Sequence, residues 1–331
     1  MLIYDKNIPD EMLHTMMQTL SYLESTDFQI PTVSIQELME QLEQWIMSGI
    51  CGAMVTGRSR IGKSSAIEYA SRKLQRDFGE NFPVFRWSLN EHISHARDKA
   101  FYASLLDAMD IDVLSNQRTS ALELKTKAVN YIAIRAAETP MRKAVLFLDE
   151  AYKLDNKEYY WLMDLYNVLN SKYHVILSVF MFGTPREMHA VRDSFEAGKQ
   201  TQIVERFMIN EYAFKGVRSP DELLLCLNTL DSVKVQSSNQ EYSDMTLAEF
   251  FFPTAYQEKR ARFIDLAADF WESFVKLKDG NLRTGIPMHY FMQAFILCLS
   301  WYGSASEKHY FITRKDIENA VEGTGYGRTD D

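Results

Sequence analysis

The 331-residue chain is 46% hydrophobic and 24% charged, a globular composition that fits one large or two modest domains and excludes a disordered or fibrous class. No apolar run reaches membrane-spanning length, the start lacks a secretion signal, and three scattered cysteines form neither a disulfide frame nor a metal site, so the expectation is a cytoplasmic protein with buried thiols. The net charge of −9 argues against tight duplex binding by one subunit, but leaves room for a basic strip, or for weak strips pooled in a ring.

Residues 1–30 read as an irregular leader with some helical pattern. Ser34-Ile-Gln-Glu37 has the form of a capping box, and Ile35, Leu38, Leu42, Trp45 and Ile46 follow at helical spacing until Gly49. Cys51–Thr56 is strand-like. Residues 57–64 then match the phosphate-loop pattern GxxxxGK[ST], and a helix-compatible stretch runs from Ser65 to Leu74. Strand, glycine loop and helix make a phosphate cradle, because loop N–H groups and the helix N-terminus offer partial positive charge. Gly57, Arg58, Ser59, Arg60, Ile61, Gly62, Lys63, Ser64 and Ser65 are the candidate nucleotide contacts. Lys63 carries the full charge toward the β- and γ-phosphates, and Ser64 offers a hydroxyl to Mg²⁺.

Residues 81–90 read as a second strand, with helices over 95–110 and 119–138. Five apolar residues, Ala144 to Leu148, read as a strand buried on both faces, ending in Asp149 and Glu150. An aspartate at that carboxyl end can hold the Mg²⁺ of ATP, and the adjacent glutamate can activate a water. A helix over 156–170 and a strand over 174–182 follow, the latter ending in Gly183-Thr184-Pro185. Residues 206–212 read as the last strand. The alternation predicts an α/β fold with a parallel sheet between helices.

Beyond residue 218 the pattern is helical: 220–230, 247–277, 287–302 and 314–322, with a polar loop over 232–244 and a frayed tail from Gly323. The expected domains are a leader (1–32), an α/β nucleotide-binding domain (33–217), an all-helical domain (218–322) and a flexible tail (323–331). Phe250-Phe-Phe-Pro-Thr-Ala-Tyr256 reads as core or domain interface rather than a docking patch.

This combination resembles the AAA+ ATPases, whose P-loop core is followed by a helical lid. The resemblance implies ATP and Mg²⁺ as ligands and ATP hydrolysis as the activity. Thr184 stands at the sensor-1 position, Arg206 where an arginine finger is often placed, with Arg192 and Arg186 next in line, and Arg283 in Gly280-Asn-Leu-Arg283 at sensor 2. Thr313-Arg-Lys-Asp-Ile317 resembles the start of the last lid helix in initiator-like members. The compact size, the Gly-Arg-Ser-Arg-Ile-Gly-Lys-Ser loop and the Phe-Gly-Thr-Pro segment look like the transposition regulators TnsC, TniB and MuB, and most like TnsC, including versions from CRISPR-associated transposons.

That likeness implies a homo-oligomeric ring or filament on double-stranded DNA that links target choice to a transposase. A target-selector protein, or a CRISPR effector complex acting through an adaptor, is the implied upstream partner. DNA-facing residues in such regulators come from the region of Arg97, Lys99, Arg118, Lys125 and Lys127. The alternatives are an initiator or helicase-loader ATPase and a nucleotide-gated scaffold with little hydrolysis; a P-loop small-molecule kinase fits the Asp149-Glu150 pair and long helical half less well.

Overall fold

The computed structural model describes residues 8–25, 27–89, 98–112, 119–278, 282–303 and 310–329. The chain divides into two compact units: Ile35–Ser59 with Lys63–Phe214, and Met1–Ser34 with Arg60–Gly62 and Lys215–Asp331. The first element, α1 (Asp10–Glu24), belongs to the second, largely helical unit.

The α/β unit takes in α2 (Val33–Ser48) from Ile35 onward. It continues through β1 (Gly52–Thr56), α3 (Lys63–Phe78), β2 (Val84–Ser88), α4 (Asp98–Asp107), α5 (Ala121–Ala137), β3 (Lys143–Asp149), α6 (Asn156–Tyr173), β4 (Ile176–Gly183), α7 (Pro185–Ala197), α8 (Thr201–Phe207) and β5 (Glu211–Ala213). The five strands form one parallel sheet in the order β2-β3-β4-β1-β5. Ala144 to Leu148 are fully buried, as a strand covered by helices on both faces requires. Capping boxes start α5 at Ser120 and Glu123, and α6 at Asp155 and Glu158. Pairing of Thr56 with Gly183 and of Ser88 with Asp149 brings the strand ends level on one edge. This is the α/β architecture expected from the alternating pattern.

The helical unit holds α1 and then α9 (Pro220–Asp231), α10 (Gln240–Ser243), α11 (Leu247–Phe251), α12 (Pro253–Lys259), α13 (Ala267–Leu277), α14 (Met288–Tyr302) and α15 (Arg314–Gly323). Its core is aromatic: Phe250, Phe251, Phe252, Phe263, Phe270, Phe274, Phe291 and Phe295 are all buried. The Phe250–Phe252 run is thus core. Edge-to-face pairs such as Phe263–Phe295, with centroids 4.9 Å apart, contribute beyond their burial.

Several local expectations are corrected. Residues 1–32 are not a separate leader, since α1 and Ile30 bury Met16, Leu23 and Ile30 in the helical core. The helix of Ile35 begins at Val33, and the Ser34 hydroxyl donates to the Gly216 carbonyl at 3.4 Å rather than capping it. Residues 206–207 end a helix, and the strand starts only at Glu211. The 247–277 pattern is broken at Pro253 and by a 3₁₀ turn over Phe263–Leu266, because proline lacks the N–H that a continuing helix needs. The 232–244 loop contains the short α10. The tail is anchored, with the Tyr326 ring fully buried against Phe274 and Tyr290. No described helix is long and apolar enough to cross a membrane.

Candidate nucleotide site

Within the α/β unit, the chain leaves β1 at Thr56, and the Gly57 N–H donates to the Gly183 carbonyl at 3.1 Å, fastening the loop to the end of β4. Lys63 opens α3 and donates to the carbonyls of Gly57 (2.7 Å) and Arg58 (2.8 Å). Its ammonium therefore lies across the mouth of its own loop. Burial pushes the Lys63 ammonium below the ordinary lysine range, opposed by the charges of Asp149, Glu150 and Glu187. A partly desolvated cation among carboxylates is a strong point of attraction for a phosphate chain.

Ser64 is the next residue of α3, and its hydroxyl donates to Asp149 Oδ2 at 2.6 Å. A hydroxyl and a carboxylate sharing one small space are hard oxygen donors of the kind Mg²⁺ takes, with the remaining positions left to water and phosphate. The residues present fit a magnesium nucleotide: Ser64 and Asp149 would hold the metal, and Lys63 and the loop would hold the phosphates.

Glu150 adopts the left-handed conformation (φ 58°, ψ 44°) and leads into a 3₁₀ turn, Ala151–Lys153. An L-residue pays roughly 1–2 kcal/mol for that region. Strain at such a point accompanies sites where a side chain is being aimed. The Glu150 carboxylate is ion-paired with the Lys153 ammonium. Thr184 caps α7 from the end of β4, and its buried Oγ1 has no hydrogen-bond partner among the described residues. A buried, unused hydroxyl at the sheet's carboxyl edge fits a role toward a ligand oxygen.

Arg206 lies in the last turn of α8, bonded to Asn167 and with its guanidinium 4.9 Å over the Tyr166 ring. It is thus folded onto α6 of its own subunit. Arg192 pairs with Glu211 at 3.2 Å. In the helical unit, the loop-tip residues Arg60–Gly62 cluster with α14: the His289 N–H donates to the Arg60 carbonyl at 3.4 Å, and Arg60 lies 5.8 Å over the Tyr290 ring. Arg283 is exposed in the same unit, while Gly280 and Asn281 of its motif lie outside the described residues.

Among the DNA candidates, Arg97 and Arg118 also lie outside the described residues. Lys99 is exposed, Lys125 is neutralised by Asp164, and Lys127 donates to the Asp112 carbonyl at 3.1 Å. Glu187 beside Lys63, and Lys153 on Glu150, were missed from the sequence. Lys153 had a signal, since a lysine three residues past a turn-forming glutamate can fold back onto it.

Residues 52–191 match the family model described as an AAA domain. This segment is an AAA-type P-loop ATPase domain. The fold of the chain is similar to that of the ORC2 protein of Aeropyrum pernix in ADPNP and ADP complexes, at 11% identity and a TM-score of 0.58, over 97% of this chain and 70% of that one. A Drosophila ORC chain bound to DNA aligns at 14% identity and a TM-score of 0.48, over 89% of this chain and 44% of that one. A Walker-type ATPase of Pyrococcus abyssi aligns at 13% identity and a TM-score of 0.43, over 88% of each chain. At these identities the first likeness carries the fold, and the other two carry no argument. The chain spans less than half of the Drosophila chain. No curated protein matches the chain in sequence.

Proposed function

We propose that this protein is an ATP-hydrolysing, DNA-binding switch that works as a homo-oligomer. The observation that carries the nucleotide part is the convergence around Lys63: Ser64 sits on Asp149, and the charges of Asp149 and Glu150 both reach the Lys63 ammonium. In this reading ATP binds with Mg²⁺ on Ser64 and Asp149. Glu150 takes a proton from the attacking water, the γ-phosphorus–oxygen bond to ADP breaks, and Thr184 orients a phosphate oxygen. Arg283 reads the γ-phosphate, and Arg206 reaches a neighbouring subunit's nucleotide once it leaves the Tyr166 ring.

The loop and Phe-Gly-Thr-Pro segments support a regulator of DNA transposition that joins target selection to transposase recruitment. Transposase subunits and a target selector, with or without a CRISPR effector, would be its partners. The fold likeness to an ORC2 protein over nearly the whole chain favours a second reading, an initiator-type ATPase. Both require duplex DNA, which with a net charge of −9 is gripped through many subunits sharing one molecule.

The test is ATP binding by calorimetry, phosphate release, and filter binding of DNA over a protein and salt series. Binding of magnesium ATP, turnover that falls about 10²-fold or more in Glu150→Gln, and steep, salt-sensitive DNA binding with ATP are expected. Tight one-to-one binding of a single DNA sequence without nucleotide would favour the initiator reading over the transposition reading. Absence of ATP binding would overturn both.

A further inference from the structure

Glu150, the residue best placed to activate water, is not free. Its carboxylate is ion-paired with Lys153, whose backbone N–H also donates to the Glu150 carbonyl at 2.9 Å. The Lys153 ammonium donates in addition to the Leu89 carbonyl at 3.2 Å, just past the end of β2. The Leu89 N–H in turn donates to the Asp149 carbonyl at 3.2 Å. Leu89, Asp149, Glu150 and Lys153 therefore close a ring of contacts that joins the end of β2 to the end of β3. The Lys153 side chain is only 20% exposed, against 46% for Glu150. It is the better-anchored partner and sets where the carboxylate rests.

We propose that Lys153 is a latch that holds Glu150 off the attacking water, so that ATP turnover is throttled until the latch opens. The inference rests on the hydrolytic reading above. To act, the carboxylate must accept a proton from water as the water oxygen bonds to the γ-phosphorus and ADP departs with the electrons of the broken P–O bond. A carboxylate engaged by an ammonium accepts that proton poorly and is aimed at the lysine. Tyr152 lies beside the same carboxylate: burial raises its phenol above the ordinary range, and the Glu150 charge raises it further, so it stays neutral and does not replace Lys153 as a cation. The Leu89 carbonyl is the second anchor, which means that a shift at the end of β2 moves the lysine and releases the glutamate. Lys153 is a positioning residue, because it acts through Glu150.

The test compares wild type, Lys153→Met and Lys153→Arg in steady-state phosphate release, with ATP affinity measured separately by calorimetry. Lys153→Met should raise kcat about 2- to 5-fold, the worth of a partly exposed ion pair, with the ATP dissociation constant unchanged. Lys153→Arg should restore the wild-type rate. A fall in kcat for Lys153→Met would make Lys153 a direct phosphate contact, and an unchanged kcat would make it a surface pair; either overturns the latch. Lys153→Gln carries the same expectations should the methionine variant not fold. If the wild type binds ATP but shows no turnover, the hydrolytic reading fails by itself. Turnover gained in Lys153→Met would then still support the latch, and continued silence would overturn it.

Discussion

The Ser64 hydroxyl donates to Asp149 Oδ2 at 2.6 Å, so two residues 85 positions apart meet at the carboxyl edge of the sheet. β3 delivers the carboxylate from a strand buried on both faces, and α3 delivers the hydroxyl from its first turn. Both elements are fixed by core packing, which makes the meeting point rigid.

Asp149→Asn removes the charge and keeps the shape. It should abolish most of the gain in ATP affinity that Mg²⁺ confers, a loss of about 10- to 100-fold, while affinity in chelator stays close to wild type. Calorimetric titrations with and without Mg²⁺ measure both. An equal loss in the two conditions would assign Asp149 to the phosphates or to folding instead of the metal.

Lys63→Met replaces a partly desolvated cation with a side chain of similar length. ATP affinity should fall about 10- to 100-fold, the worth of a charge-assisted hydrogen bond to phosphate. Thermal stability should hold or rise, because a buried ammonium is costly when its only donors' targets are loop carbonyls. Unchanged affinity would remove Lys63 from the site.

The α/β alternation, the loop, and the Asp149-Glu150 pair were legible because each is written in consecutive residues with a fixed physical requirement. The helix end at Arg206 was not. Its sequence, Glu205-Arg-Phe-Met-Ile, alternates like a strand, yet Phe207 is fully buried at the end of a two-turn helix, and tertiary packing overrides the local pattern. α1 escaped notice for a related reason: Met16 and Leu23 are core residues only against helices more than 200 positions later in the chain. The Glu150–Lys153 pair depends on a left-handed glutamate, which no spacing rule announces.

Glu211 predicts a pH effect. It sits on the edge strand β5 and accepts from Thr56 Oγ1 at 2.9 Å, with His189 at 2.7 Å and Arg192 at 3.2 Å. Burial pushes its carboxyl up, but the contacts with His189, Thr56 and Arg192 outweigh this and hold it below the usual carboxylate range. A depressed folded value stabilises above the unfolded value, near pH 4.5, and the benefit is lost as pH falls through the folded value. Because the cluster is partly exposed, the contribution is about 1 kcal/mol. Glu211→Gln should therefore lower stability by about that much at pH 7, and the gap to wild type should close at lower pH, as read by urea unfolding. A gap independent of pH would make the contribution one of hydrogen-bond geometry rather than charge.

Two glycines in the helical unit separate steric from dihedral cost. Gly285 has φ +78°, and a Cβ there would lie 2.6 Å from the Val217 carbonyl oxygen and 2.9 Å from Gly216 backbone. The close approach is enforced by Val217 and Ile286, which exchange N–H···O bonds of 2.9 and 2.7 Å two residues past Arg283. Gly325 has φ +73°, but a Cβ there would meet nothing within 4 Å. Gly325→Ala should cost only the left-handed penalty, about 1–2 kcal/mol. Gly285→Ala should cost about 1–3 kcal/mol more, because backbone must move to admit the methyl. It should also speed hydrogen exchange at the Val217 and Ile286 amides, which Gly325→Ala should leave protected. Since Arg283 sits beside this crossing, Gly285→Ala should weaken any contribution of Arg283 to ATP affinity as well. Equal stability losses and equal exchange in the two variants would show that the backbone crossing does not hold this segment in place.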